Sequence, residues 1–340
     1  MAKLKTFEKL MFFINSLLAF FLLLSYILPH LPPKQFAFIS VLSLGVPFLI
    51  IANLLFFIYW LLKVKKQMLL SLIVLCVGYN YLFSLYKFSS SKNINDRENI
   101  SVMNYNVRLF NLFEWIEDKD TKLHILDFVL DRNPDILCVQ EYRPEESFQL
   151  NGYYKYEELR GNKIKNGQAI FSKFPIVNSG SIGFEKTFNN AIFVDVVKNS
   201  DTLRIYNLHL QSTGIDYRVE KLAEEESENL MNRMSQTFKL QQSQAAKFLE
   251  HRKECHYPII VSGDFNNTAY SYVYRKIKAE DLNDTFVKAG NGFGRTFDFK
   301  FFPTRIDFVM VDESFVVNGF KTFDVKYSDH YPIMATVRLK

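Results

Sequence analysis

The chain has 340 residues, is 48% hydrophobic with 34 Phe, and carries a formal charge of +5. Three long uncharged runs, Leu10–Leu28, Phe36–Leu62 and Met68–Tyr86, gather apolar residues ahead of residue 88 and exclude a wholly soluble protein. The charge divides at the same place: residues up to 88 are net +7 and the remainder, with 33 basic and 35 acidic residues, is net −2, which argues against a surface that grips nucleic acid by neutralising phosphates.

Even the shortest of these runs, as a helix, rises roughly 28 Å, about a hydrocarbon core. The reading is a membrane region over residues 1–88 with three transmembrane helices, about 10–28, 36–62 and 68–86. The segment Ser25-Tyr26-Ile27-Leu28-Pro29 is bulky and offers no small-residue cleavage site, so the first run is read as a span and not as a cleaved signal peptide. Lys3, Lys5 and Lys9 precede it, Lys63, Lys65 and Lys66 fill the turn between the second and third runs, and the intervening loop 29–35 has only Lys34. The positive-inside rule then places both Lys clusters in the cytoplasm and everything after Tyr86 on the extracytoplasmic side of a cell membrane.

Residues 89–99 have linker composition, and from Ile100 short β-branched runs alternate with turns. Strands are expected at Ile100–Val107, Asp135–Glu141, Gln168–Ser172, Ala191–Val197, Leu203–Leu210, Pro258–Phe265, Arg305–Val311 and Pro332–Leu339. Leu123, Leu126, Val129 and Leu130 recur at helical spacing, and residues 218–252 are rich enough in helix formers for one or two helices. Residues 100–340 therefore read as one α/β or α+β domain. Cys76, Cys138 and Cys255 read as free thiols, with a Cys138–Cys255 bridge as the alternative.

Polar residues end several of these apolar strands: Asn104-Tyr105-Asn106-Val107-Arg108, Gln140-Glu141, Asn207-Leu208-His209, Gly263-Asp264-Phe265-Asn266, Arg305-Ile306-Asp307-Phe308 and Ser328-Asp329-His330-Tyr331-Pro332. Each alone is as well explained by a solvated strand end, a hydrogen-bonded core histidine or a turn. Six in one domain are not. Carboxylates such as Glu141 and Asp329 suit hard cations, Mg²⁺ or Mn²⁺, whereas the thiolate and clustered imidazole sets preferred by zinc are missing from the sequence. Asp264 beside Asn266 offers an acceptor for a nucleophilic water and an amide donor for a phosphoryl oxygen, and His330 with an Asp partner serves as base or as charged phosphate ligand. These are parts for metal-assisted attack of water on a phosphate ester.

In this order the motifs resemble those of the endonuclease/exonuclease/phosphatase superfamily, over essentially all of residues 100–340. The resemblance implies a four-layer α/β/β/α sandwich, α+β in class, with Asn106 and Glu141 holding the cation and Asp329 on its other side or at a second site. It implies that Asp264 orients the attacking water, Asn266 contacts the phosphate, Asp307 hydrogen-bonds His330, His209 binds a phosphoryl oxygen, and Arg108 and Arg143 contact substrate. No Tyr matches the phosphate-contacting position of many family nucleases, Tyr153, Tyr154 and Tyr156 being nearby candidates, and the Trp-Cys-Asp-Arg motif of inositol 5-phosphatases is missing. The expectation is a membrane-anchored phosphodiesterase acting on nucleic acid ahead of a lipid headgroup, with no obligate protein partner evident. A phosphomonoesterase is a lesser alternative, and a binding protein that keeps the fold without turnover is the third.

Overall fold

The computed structural model describes residues 4–88, 91–185, 187–214, 227–299 and 302–340. Helices α1 (Thr6–Ser25), α3 (Val46–Leu62) and α4 (Met68–Val77) pack as an antiparallel bundle, and the short α2 (Ala37–Val41) precedes α3. The stretches Thr6–His30 and Ala37–Leu62 are long and apolar enough to cross a membrane. A buried polar knot joins the three long helices: Asn15 Nδ2 donates to Ser71 Oγ at 2.7 Å, Trp60 Nε1 to Asn15 Oδ1 at 3.0 Å, and Asn53 Nδ2 to the Leu18 carbonyl at 3.1 Å. Such bonds pin helices together where apolar packing alone has little driving force.

The third apolar run departs from the single straight helix expected over 68–86. It breaks at Gly78, where α4 and α5 (Tyr79–Leu85) meet at 83°. The cause is a close approach to α1: a Cβ at Gly78 would sit 2.0 Å from the Tyr26 ring, whose hydroxyl donates to the Val74 carbonyl at 3.0 Å. Tyr81 of α5 stacks on the same ring at 4.9 Å. Glu8 and Lys63 pair at 3.2 Å at the far end of the bundle, so the Lys63–Lys66 turn lies opposite the end from which the rest of the chain departs.

The described residues of that remainder form two six-stranded sheets. One has the order β11 (Phe315–Thr322), β12 (Ile333–Leu339), β1 (Ile100–Asn106), β2 (Ile136–Tyr142), β4 (Asn166–Ser172), β3 (Tyr154–Arg160). The other has the order β5 (Ile176–Ser181), β6 (Asn190–Lys198), β7 (Asp201–His209), β8 (Ile259–Asp264), β10 (Asp307–Asp312), β9 (Leu282–Asp284). The period of two along a strand builds the layers. Val102, Ile136, Cys138 and Ile170 of the first sheet meet Ile192, Val194, Ile205, Ile260 and Val309 of the second. The alternate residues Met103, Tyr105, Leu137 and Val139 pack outward on α6 (Thr121–Arg132), through Ile125, Phe128 and Val129. On the other side Tyr206, Leu208, Val261 and Phe308 pack on α7 (Ser227–Lys253) and α8 (Tyr272–Lys278). The result is an α/β/β/α sandwich.

All eight expected strands are present; β3, β5, β9 and β11 were not foreseen. The first nine residues of the helical stretch expected over 218–252 lie outside the described residues; from Ser227 to Lys253 it is one helix. All three cysteines are free, Cys138 being buried between the sheets, so the alternative Cys138–Cys255 bridge does not form.

Candidate active site

The inward stripe of each interior strand changes character at one end. β1 runs Ile100, Val102, Asn104, Asn106; β7 runs Leu203, Ile205, Asn207, His209; β8 runs Ile260, Ser262, Asp264; β10 begins at Asp307 and continues Val309, Val311. Register aligns these ends, since Asp307 pairs with Asp264, His209 with Asp264, and Asn106 with Gln140. The apolar layer between the sheets therefore gives way to a polar one.

The deeper part of that layer is a hydrogen-bonded brace. Asn104 Oδ1 accepts from Gln140 Nε2 at 2.8 Å and from Ser262 Oγ at 2.9 Å, and Asn104 Nδ2 donates to Asp307 Oδ1 at 3.2 Å. Gln140 Nε2 also reaches Asn207 Oδ1 at 2.7 Å, and Gln168 Nε2 the Asn207 carbonyl at 2.9 Å. These bonds stitch one sheet to the other beneath the chemistry, leaving Gln140 Oε1 and Gln168 Oε1 as buried oxygens without a partner among the described residues. Sequence reasoning gave no role to Asn104, Gln140, Gln168, Asn207 or Ser262; the signal was their placement on the same period-two stripe as Asn106 and Asp264.

Above the brace lie the titratable groups. His330 Nδ1 bonds Asp307 Oδ2 at 2.9 Å, while its Nε2 stands 3.7 Å from Asp264 Oδ2. Asp264 Oδ1 accepts the Asn266 backbone N–H at 2.8 Å, and Asn106 Nδ2 donates to both Asp264 Oδ2 and Glu141 Oε1 at 3.1 Å. Asp264, Asp307 and His330 bring one potential ligand atom each within 4.8 Å of one another. His209 Nε2 is buried with no hydrogen-bond partner among the described residues, 3.8 Å from Asp264 and 4.0 Å from Glu141. An orphaned buried nitrogen facing two carboxylates is expensive unless a ligand satisfies it.

Backbone distortion aims two of these side chains. Strict alternation would send Glu141 outward to α6, but a bulge between Gln140 and Tyr142, with Glu141 at φ 49°, turns it toward Asn106 and the cavity. Asn266 has φ 48°. Gly263, immediately before Asp264, permits close approach of β7, since a Cβ there would lie 2.0 Å from the Leu208 carbonyl oxygen.

The electrostatics divide the two imidazoles. Burial opposes the charge on His330, but Asp307 and Asp264 outweigh it and hold its pKa well above the ordinary value. Burial, reinforced by the charge of His330, pushes His209 down to about 3, so it is neutral. Asp264 is raised by burial, with Asp307 adding to the rise and His330 opposing it. Glu141 is raised by burial and then by the charge of Asp329, against relief from Asn106. The competing carboxylates Glu141 and Asp329, with the Asn106 amide against Glu141, form a donor set that a hard divalent cation would relieve.

Glu141, Asn266, Asp329, His330 and Arg108 line one cavity of about 720 Å³. Arg108 pairs with Asp329 at 3.2 Å and lies 4.3 Å from the Trp115 ring centre. Arg143, expected beside it, instead pairs with Glu145 and does not line the cavity. Asn266 Nδ2 donates to the Leu210 carbonyl at 3.0 Å and to Asp264 Oδ2 at 3.2 Å, so a phosphate contact from that nitrogen requires exchange of one bond. Tyr154 and Tyr156 lie on the edge strand β3, and the Tyr153 hydroxyl is taken by the Pro134 carbonyl.

The two faced sheets thus meet, at one end, around an acid–imidazole dyad with a third carboxylate, Asp264, beside it. The chain belongs to the endonuclease/exonuclease/phosphatase family, whose model matches residues 103–330. A model described as a domain of unknown function matches residues 8–85. No curated protein matches the sequence. Among solved structures, the human Nocturnin catalytic domain with bound sulfate is 20% identical with a TM-score of 0.54, covering 72% of this chain and 96% of that one. An endonuclease/exonuclease/phosphatase from Bacteroides vulgatus is 20% identical with a TM-score of 0.54 over 71% and 99% of the two chains. TDP2 of D. rerio, complexed with a single-strand DNA product, is 15% identical with a TM-score of 0.53 over 71% and 99%. At these identities the likeness is one of fold.

Proposed function

We propose that the protein is a membrane-anchored phosphodiesterase that uses Mg²⁺ or Mn²⁺ to drive attack of water on phosphorus. The observation that carries this reading is the cluster formed by the Asp307–His330 dyad, Asp264 and the buried His209 Nε2, from which His330 reaches a cavity also lined by Glu141 and Asp329. Glu141 and Asp329 would hold the cation, joined by Asn106 if its amide turns to present oxygen, since Oδ1 now accepts the Arg108 N–H at 3.0 Å. Bound there, the cation supplies polarisation of a phosphoryl oxygen.

The chain's own residues do the rest. Asp264 orients the water and takes its proton, a role suited to a carboxylate whose pKa is raised. His330, kept protonated by Asp307, holds a phosphoryl oxygen through Nε2, and neutral His209 donates a hydrogen bond from its own Nε2. The water oxygen bonds to phosphorus, the bond to the leaving oxygen breaks, and His209 steadies the departing alkoxide. The full-length protein in lipid nanodiscs with Mg²⁺ should turn over bis(p-nitrophenyl) phosphate faster than p-nitrophenyl phosphate. Cleavage of the monoester alone would refute a diesterase.

The same reading makes residues 1–88 a multi-pass anchor of the cell membrane, with residues 100–340 extracytoplasmic. Support comes from the bundle, in which the Lys63–Lys66 turn and the catalytic end are opposite. A reporter active only outside the cytoplasm, fused after residue 90, should be active; a silent fusion whose cytoplasmic counterpart works would reverse the topology.

A further inference from the structure

We infer that the substrate is a membrane lipid phosphoester, its phosphate at the catalytic groups and its hydrocarbon tail against the end of the membrane helices. This rests on the phosphodiesterase reading and narrows it. The cavity that holds Glu141, Asp329 and His330 is also lined by Leu44, Pro47 and Phe48 from the second apolar run. One hollow therefore reaches from the dyad to residues of the membrane anchor.

Its walls match an amphiphile. Phe48 is 48% exposed, Phe113 56%, Trp115 43% and Phe293 41%, and all four face this hollow. Large hydrophobic side chains left open together on one concave surface mark a place that an apolar group covers. The junction itself is built from aromatic rings: Phe48 meets Phe302 at 4.8 Å between centres, and Tyr81 stacks over Tyr270 at 6.2 Å. The catalytic groups are thus fixed to the end of the helical bundle, where a lipid headgroup would emerge.

The charges speak against a polynucleotide. A strand of nucleic acid asks for a track of free cationic side chains along its phosphates. Among the described residues, the two arginines of the cavity are both committed, Arg108 to Asp329 at 3.2 Å and Arg305 to Asp284 at 2.8 Å, while Glu114, Glu141, Asp298 and Asp329 line the same space. A cavity of about 720 Å³ holds a headgroup with the first part of a tail.

The test uses full-length protein in nanodiscs with Mg²⁺ and a series of alkyl p-nitrophenyl phosphodiesters, ethyl, butyl and octyl, each below its micelle concentration. Water adds to phosphorus, the P–O bond to p-nitrophenolate breaks, and the alkyl phosphate remains. Each methylene that leaves water is worth about fourfold in kcat/KM, so the octyl ester should exceed the ethyl ester by at least roughly tenfold. Phe48→Ser and Leu44→Asn should each lower that octyl-to-ethyl ratio at least threefold; taking the ratio within one preparation cancels any loss of folded protein. A response flat in chain length, a slope that both variants leave intact, or a DNA oligonucleotide cleaved with higher kcat/KM than the octyl ester would each overturn the lipid assignment while leaving the phosphodiesterase standing. Failure to cleave any ester would overturn both.

Discussion

Asp307→Asn and His330→Ala are each expected to lower kcat/KM on the order of 10² to 10⁴-fold, the usual worth of a positioned acid–base group, and the double variant should lose little more than the worse single. The reason is geometric. Asp307 Oδ2 holds His330 Nδ1 at 2.9 Å and Oδ1 is itself held by Asn104, so the carboxylate fixes the ring's tautomer and orientation as well as its charge. Removing either partner removes one device, and groups that act as a unit are non-additive. His209→Ala should combine more nearly additively with either, because its Nε2 faces Asp264 and Glu141 and takes no part in the Asp307–His330 hydrogen bond. The pH profile provides a second readout. Asp307 is the foremost of the groups that raise the His330 pKa, so Asp307→Asn lets it fall, and the limb on which activity declines with rising pH should move to lower pH. The stability linkage has the same sign: a raised histidine pKa contributes stability that is complete below the unfolded value and lost as pH rises through the folded one, and Asp307→Asn weakens that dependence, Asp264 remaining to support it. Independent, additive effects of Asp307 and His330 would break the dyad assignment.

The interior of the sandwich was legible because burial on both faces writes itself as apolar runs, and the site was legible where those runs end in Asn106, His209, Asp264 and Asp307. What escaped was the rim. The four unforeseen strands, β3, β5, β9 and β11, are the four edge strands of the two sheets. Edges carry the residues that discourage further pairing, as in Tyr-Lys-Tyr-Glu-Glu-Leu-Arg of β3 and Asn-Ser-Gly-Ser of β5, so they lack the alternation that marks a strand. The break at Gly78 was hidden for another reason: Met68–Tyr86 is uniformly apolar, and only the approach of Tyr26 from α1, distant in sequence, bends it. The turning of Glu141 was hidden too, since a bulge is a relation between two strands. Arg143 looked equivalent to Arg108 because sequence shows charge and spacing, while the nearby Glu145 that claims it is a matter of conformation.

Glu141→Gln is expected to cost roughly two orders of magnitude or more in turnover, because a bound cation supplies several kcal/mol of transition-state stabilisation and this substitution removes a negative ligand while nearly preserving shape. Folding should not suffer. Burial and Asp329 hold the Glu141 pKa up, so its ionised form opposes folding at neutral pH and a neutral amide removes that cost. Loss of rate without loss of thermal stability then separates cation binding from structure. The decisive measurement is the initial rate of bis(p-nitrophenyl) phosphate hydrolysis by full-length protein stripped with EDTA and titrated with Mg²⁺, wild type beside Glu141→Gln. The wild type should be silent when stripped and recover saturably, with the variant at least about 100-fold slower at the Mg²⁺ concentration that saturates the wild type. Wild-type turnover that persists in EDTA, or a variant that matches the wild type throughout the titration, would contradict a cation-assisted phosphodiesterase at this site.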